Sequence, residues 1–113
     1  MEIVVDVRGP AVVVLRPFGR LDLVSAVEFK RKLLRTIDTG HRQQVIDLGE
    51  VTFIDSSGLG ALIAGLKSTR QVGGDLRIAR PNEQACTVLR LTTLDRVLRP
   101  YATLADALVG FDV

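Results

Sequence analysis

Between Val45-Ile46-Asp47-Leu48, rich in β-formers, and a helical pattern of Leu59, Leu62, Ile63 and Leu66 lies a short polar junction. Its residues are Asp55-Ser56-Ser57-Gly58, with Gly60 two positions on: one carboxylate, two adjacent hydroxyls and two glycines. A strand-to-helix junction of this composition sets small polar side chains at a helix N-terminus. Backbone N–H groups there lack intrahelical partners and favour negative charge. Two chemistries suit such a place. A serine can bind or carry a phosphate, or it can cap the helix.

Other chemistries find little support. The one histidine, His41, follows Gly40 in a polar loop, and nothing in the sequence sets it beside a serine as a Ser-His-Asp triad requires. Ser56 and Ser57 lack the Gly-x-Ser-x-Gly frame of a nucleophile elbow. One cysteine, one histidine and scattered carboxylates supply no metal-ligand spacing. Cys86 reads as a small packed residue of a helix. Gly58-Leu59-Gly60 is neither a phosphate loop nor a full dinucleotide fingerprint, and its glycines read as permitting close packing of the first helical turn. The basic run Lys30, Arg31, Lys32 and Arg35 reads as a solvated helix face. The expectation is a protein that is not an enzyme and uses no cofactor.

The elements that must position the junction are short. The chain has 113 residues, enough for one core, with 47% hydrophobic residues. A formal charge of +2 with few aromatics argues against duplex or single-strand nucleic acid as a partner. A single cysteine fits a reducing compartment. Met1-Glu2-Ile3-Val4-Val5-Asp6 does not resemble a signal peptide, and no apolar run is long enough to span a bilayer, so the expected location is the cytoplasm.

Ile3–Val7 and Ala11–Leu15 read as an antiparallel pair turning at Arg8-Gly9-Pro10, with Pro17 and Gly19 ending the second strand. Ser25-Ala26-Val27-Glu28 suggests a capping box, with Val24 and Phe29 as a staple, opening a helix to about Ile37. A doubly buried strand follows over Gln44–Leu48, and the helix after Ser57 runs to about Arg70. Leu76–Ala79 is a further strand, and Asn82 caps a third helix. Val97–Arg99 is a candidate edge strand, and Thr103 caps a terminal helix. The alternation predicts an α/β fold with a mixed, mostly parallel sheet of four to five strands and helices packed on it, as one domain over residues 1–113.

The run Val45 to Gly60, with Asp55-Ser56-Ser57-Gly58-Leu59 at its heart, resembles the signature of STAS domains, and most closely that of bacterial anti-sigma factor antagonists. Gly19-Arg20-Leu21-Asp22, Gly73-Gly74-Asp75-Leu76 and Leu104-Ala105-Asp106-Ala107-Leu108 match further elements of that family. Arg20 stands where close relatives often carry an acid, and Thr93 where a glycine is frequent. The resemblance implies that Ser56 is a phosphoacceptor. It implies a partner-binding surface of Asp22, Asp55, Ser56, Ser57, Gly58 and Leu59. The implied partners are an ATP-binding anti-sigma factor serine kinase and a phosphoserine phosphatase, with no direct nucleic acid and no membrane. The alternative is a STAS scaffold or assembly subunit whose serine only caps a helix.

Overall fold

In the computed structural model, which describes residues 1–111, the strand β2 (Val12–Pro17) organises everything else. Successive side chains of a strand point to opposite faces. Val13 and Leu15 therefore enter one apolar cluster with Phe29, Leu33, Ile46, Leu62 and Leu66, while Val12 and Val14 enter a second with Val45, Ala79, Ala107 and Phe111. All four strand residues are at most 1% exposed. A strand covered on both faces must read as continuously apolar, and this one does.

β2 pairs antiparallel with β1 (Ile3–Val7) and parallel with β4 (Gln43–Asp47). β4 pairs parallel with β6 (Asp75–Ala79), which pairs parallel with the two-residue β7 (Pro100–Tyr101). The sheet order is β1-β2-β4-β6-β7. Helices α1 (Leu23–Asp38), α2 (Ser56–Gln71) and α3 (Glu83–Leu91) supply the first cluster, and α4 (Leu104–Leu108) covers the other face. The mixed, mostly parallel sheet is the one expected from the sequence.

A second sheet was not expected. Gly19–Leu21 (β3) and Val51–Ile54 (β5) form a separate parallel pair. Each run is only three or four residues long, too short for a clear period. The free edge of β5 is completed by side chains rather than by a strand. The Ile54 amide donates to Gln84 Oε1 at 2.9 Å, and Gln84 Nε2 donates to the Ile54 carbonyl at 2.8 Å. Asn82 Nδ2 donates to the Val51 and Thr52 carbonyls. Thus α3, whose N-cap is Asn82 as expected, anchors the strand that leads into α2.

Other boundaries also differ. The α1 cap is Asp22, not Ser25: Asp22 accepts from the Val24 and Ser25 amides, and Ser25 Oγ accepts from the Asp22 amide. Val24 is 88% exposed whereas Phe29 is fully buried, so they form no staple. The expected strand at Val97–Arg99 is replaced by a 3₁₀ turn at Leu94–Arg96 and by β7 just beyond. Leu98 lies between them, fully buried, which explains the apolar signal there. His41 is half-buried rather than solvated, with Nδ1 3.1 Å from Thr39 Oγ1.

Asp47, at the end of β4, is fully buried. Arg80 grips it through two hydrogen bonds of 2.9 and 2.8 Å, Arg16 donates at 3.0 Å, and the Gly49 amide adds another at 3.0 Å. Burial alone would push this carboxyl up; the donors from Arg80, Gly49 and Arg16 outweigh it and hold the group below the usual carboxylate range. The clasp ties β2, β4 and the end of β6 together. Gly49 gives the clasp room, because a Cβ there would push the Arg80 guanidinium out of its position on Asp47.

Asp47→Asn should therefore cost about 1–3 kcal/mol at pH 7, since charge-assisted hydrogen bonds are lost while the partly exposed Arg16 and Arg80 turn to water. A depressed folded pKa gives stability that is complete above the unfolded value of about 3.9 and is lost as pH falls through the folded one. Urea unfolding should accordingly show the gap between wild type and Asp47→Asn narrowing below about pH 4.

Candidate functional site

The N-termini of α1 and α2 meet at one place because β3 and β5 run side by side into them. Leu21 is in register with Ile54, and the Asp55 amide donates to the Leu21 carbonyl at 3.3 Å. The residue after each strand is an aspartate in extended conformation: Asp22 caps α1, and Asp55 caps α2. The two serines thus occupy the first and second helical positions, and the cap expected of them is supplied by their acidic neighbour.

Asp55 does more than cap its own helix. Its Oδ1 accepts from the Gly58 amide at 2.9 Å, while its Oδ2 accepts from the Leu23 amide at 3.1 Å. Asp22 takes the next two amides of α1, those of Val24 and Ser25. Three orphan donors of α1 are shared between two carboxylates, and one carboxylate bridges both helices. The Ser25 amide is the largest influence holding the Asp22 carboxyl below its usual value; partial burial opposes it, and Arg20, Val24 and Ser25 Oγ assist. Arg20 Nε lies 3.4 Å from Asp22, and its guanidinium stacks 4.3 Å from the Phe53 ring centre. The cation therefore stands on β3 directly opposite β5.

The glycines are not equivalent. Gly58 is buried, and a Cβ on it would run into the Leu21 carbonyl oxygen and the side chains of Leu21 and Ile54. This glycine lets α2 start directly against β3. Gly60 is exposed and open, and it lines a shallow groove of about 200 Å³ between α1 and α2 with Ala26, Val27, Lys30 and Ser57. Farther along, Gly65 brings the two helices together, its missing Cβ replaced by Leu33 of α1.

The residues singled out in the sequence separate into two groups. Ser56 is exposed, Ser57 is half-buried in the groove, and Asp22 and Asp55 flank them at the surface. Gly58 and Leu59 face inward and set the position of the turn. Three apolar side chains not expected from the sequence to be part of the site stand beside it: Leu23 is 72% exposed, Val24, expected in a staple, 88%, and Val27 63%. Together they form an exposed apolar patch at the start of α1. Their legible signal was Leu23-Val24 before Ser25 and Val27 two residues after it, at the start of an otherwise basic helix.

Loss of the shared cap has a specific signature. Asp55→Ala should cost about 1–2 kcal/mol and speed amide exchange in the first turns of both helices, at Leu23 as well as Gly58. The glycines should answer in opposite directions in thermal unfolding. Gly58→Ala should destabilise by roughly 1–3 kcal/mol through overpacking, whereas Gly60→Ala should stabilise by up to about 1 kcal/mol through helix propensity.

A sequence profile of the STAS domain matches residues 2–107. A Thermotoga neapolitana protein assigned as an anti-sigma factor antagonist is 36% identical over 98 residues, covering 86% of this chain and 87% of its own. The anti-sigma-F factor antagonist RsfB of Mycobacterium tuberculosis is 30% identical over 101 residues, covering 88% of this chain and 80% of its own. The crystal structure of a Thermotoga maritima protein assigned as an anti-sigma factor antagonist superposes with a TM-score of 0.87 at 32% identity, covering 94% of this chain and 91% of the other.

Proposed function

The chain belongs to the STAS domain family, and from that premise we propose that it is a cytoplasmic anti-sigma factor antagonist switched by phosphorylation of Ser56. In the unmodified state it binds an anti-sigma factor of the ATP-dependent serine-kinase type and releases the sigma factor. The kinase then phosphorylates Ser56 and ends the complex, and a phosphoserine phosphatase restores the binding form. The protein itself is a binding module and performs no catalysis.

The observation that carries this reading is the pairing of an exposed Ser56 with an uncovered apolar patch. Leu23, Val24 and Val27 on α1 provide the contact area, and the groove lined by Ser57 and Gly60 adds a recess beside it. A scaffold that used Ser56 only as a cap would not need it, because Asp55 already holds that position. Asp22 and Asp55 border the patch with fixed negative charge, which a basic surface on the partner would complement.

Phosphate brings a charge of about −1.5 to −2 and three strong acceptors. Within the protein this is tolerable. Asp55 takes the Gly58 amide and its carbonyl the Leu59 amide, which leaves the Ser56 and Ser57 amides at the helix N-terminus to face the new group. Across an interface it is not tolerable. The added charge would stand beside two carboxylates and against a surface matched to a neutral hydroxyl, so the modification ends binding without refolding the domain.

Ser56→Asp should weaken binding to the kinase captured from the native host at least tenfold, since like-charge and desolvation terms at an interface reach several kcal/mol. Ser56→Ala should retain affinity and resist inactivation by kinase and ATP, and Ser57→Ala should still gain one phosphate by intact mass. Equal affinity of Ser56→Asp and Ser56→Ala, or an unmodified Ser56 in the presence of an active kinase, would leave the scaffold reading in its place.

A further inference from the structure

Arg70 stands in the last turn of α2, fourteen residues after Ser56 and about 21 Å along the helix axis. At that remote end a cleft of about 170 Å³ opens between α2, the start of β6 and the segment that leads into β7. Four arginines line it, Arg70, Arg77, Arg96 and Arg99, against one acidic residue, Asp75. Arg70 and Arg77 already share that carboxylate, at 3.5 and 3.9 Å. Neither Arg96 nor Arg99 has an ion-pair partner among the described residues. The lining therefore carries an excess of three positive charges within one small recess.

One wall of the cleft is held in place, while Arg96 and Arg99 are exposed. The Arg77 guanidinium lies 4.0 Å from the Phe111 ring centre and donates to the carbonyls of Ala107 and Val109, so it is a fixed charge at the cleft wall. Leu98, fully buried, pins the chain between Arg96 and Arg99. Thr93 enters this segment with φ of 57°, a left-handed conformation that strains a β-branched residue. The cation at the α2 C-terminus complements that helix dipole, which accounts for Arg70 but not for Arg96 or Arg99.

We propose that this cleft is a binding site for the phosphate or diphosphate group of a small soluble molecule. Guanidinium forks match tetrahedral oxyanions through paired, charge-assisted hydrogen bonds. Arg96 and Arg99 are the principal donors, Arg70 turns from its long contact with Asp75 to join them, and Arg77 contributes a stationary charge. A recess of this size admits a phosphate group between its walls, whereas an acidic protein surface would meet only the rim. The site is independent of the Ser56 switch.

Inorganic pyrophosphate titrated at low ionic strength, followed by amide shifts in ¹H–¹⁵N spectra, provides the test. Saturable shifts centred on Asp75, Leu76, Val97 and Tyr101 are expected, and affinity should fall steeply with salt. The Arg96→Gln/Arg99→Gln variant should bind at least about tenfold more weakly while keeping the wild-type unfolding midpoint, and each single variant should show part of that loss. The proposal is overturned if shifts do not saturate, or if they centre on Arg31, Lys32 and Arg35 of α1. It is equally overturned if the variants bind like wild type, or if a glutamate-rich peptide of matched charge binds the cleft more tightly than pyrophosphate.

Discussion

One carboxylate holds the working end of this molecule together. Asp55 accepts from the first turn of α2 with one oxygen and from the first amide of α1 with the other. Two helix N-termini brought together would repel through their aligned dipoles and leave unpaired donors. Asp55 and Asp22 answer both problems at once. Ser56 is then free to face outward from a turn whose geometry does not depend on its own side chain.

The convergence itself is prepared elsewhere. The β3–β5 pair delivers both aspartates to the same level, and Gln84 and Asn82 of α3 satisfy the outer edge of β5 where another strand would otherwise be needed. Gly58 allows α2 to begin against the Leu21 carbonyl. Below them, Asp47 binds Arg80 and Arg16 and so secures the ends of the central strands. Each device replaces a missing strand or counter-charge with a side chain. That is how a short chain holds two helix N-termini together on a small core.

On the proposed reading, rigidity is what would make a phosphate an effective signal here. Where the first turn is already capped, a new dianion would have little to reorganise inside the domain, and its effect would be expressed at the interface. The same chain keeps its acidic and basic features apart, with Asp22 and Asp55 at the N-terminal end of α2 and Arg70, Arg96 and Arg99 near its other end. A partner approaching Ser56 and an anion in the remote cleft would therefore not compete for one surface.

Local chemistry was legible from the residues alone wherever one segment contains the whole signal. The continuous apolar run of β2, the caps at Asn82 and Thr103 and the strand-to-helix junction at Ser56 all depend on neighbours in sequence. The α1 cap was misread because Ser25 and Glu28 have the right spacing, while Asp22 wins by accepting two amides and holding Ser25 as its reciprocal partner. The β3–β5 pair, the double duty of Asp55 and the exposure of Val24 could not be read that way. Each depends on contacts between residues about thirty positions apart, or on which helix face the sheet leaves uncovered. The sequence determined that a serine would stand at the start of a helix. Only tertiary packing decided that a second helix would start beside it, sharing one carboxylate and leaving Leu23, Val24 and Val27 uncovered.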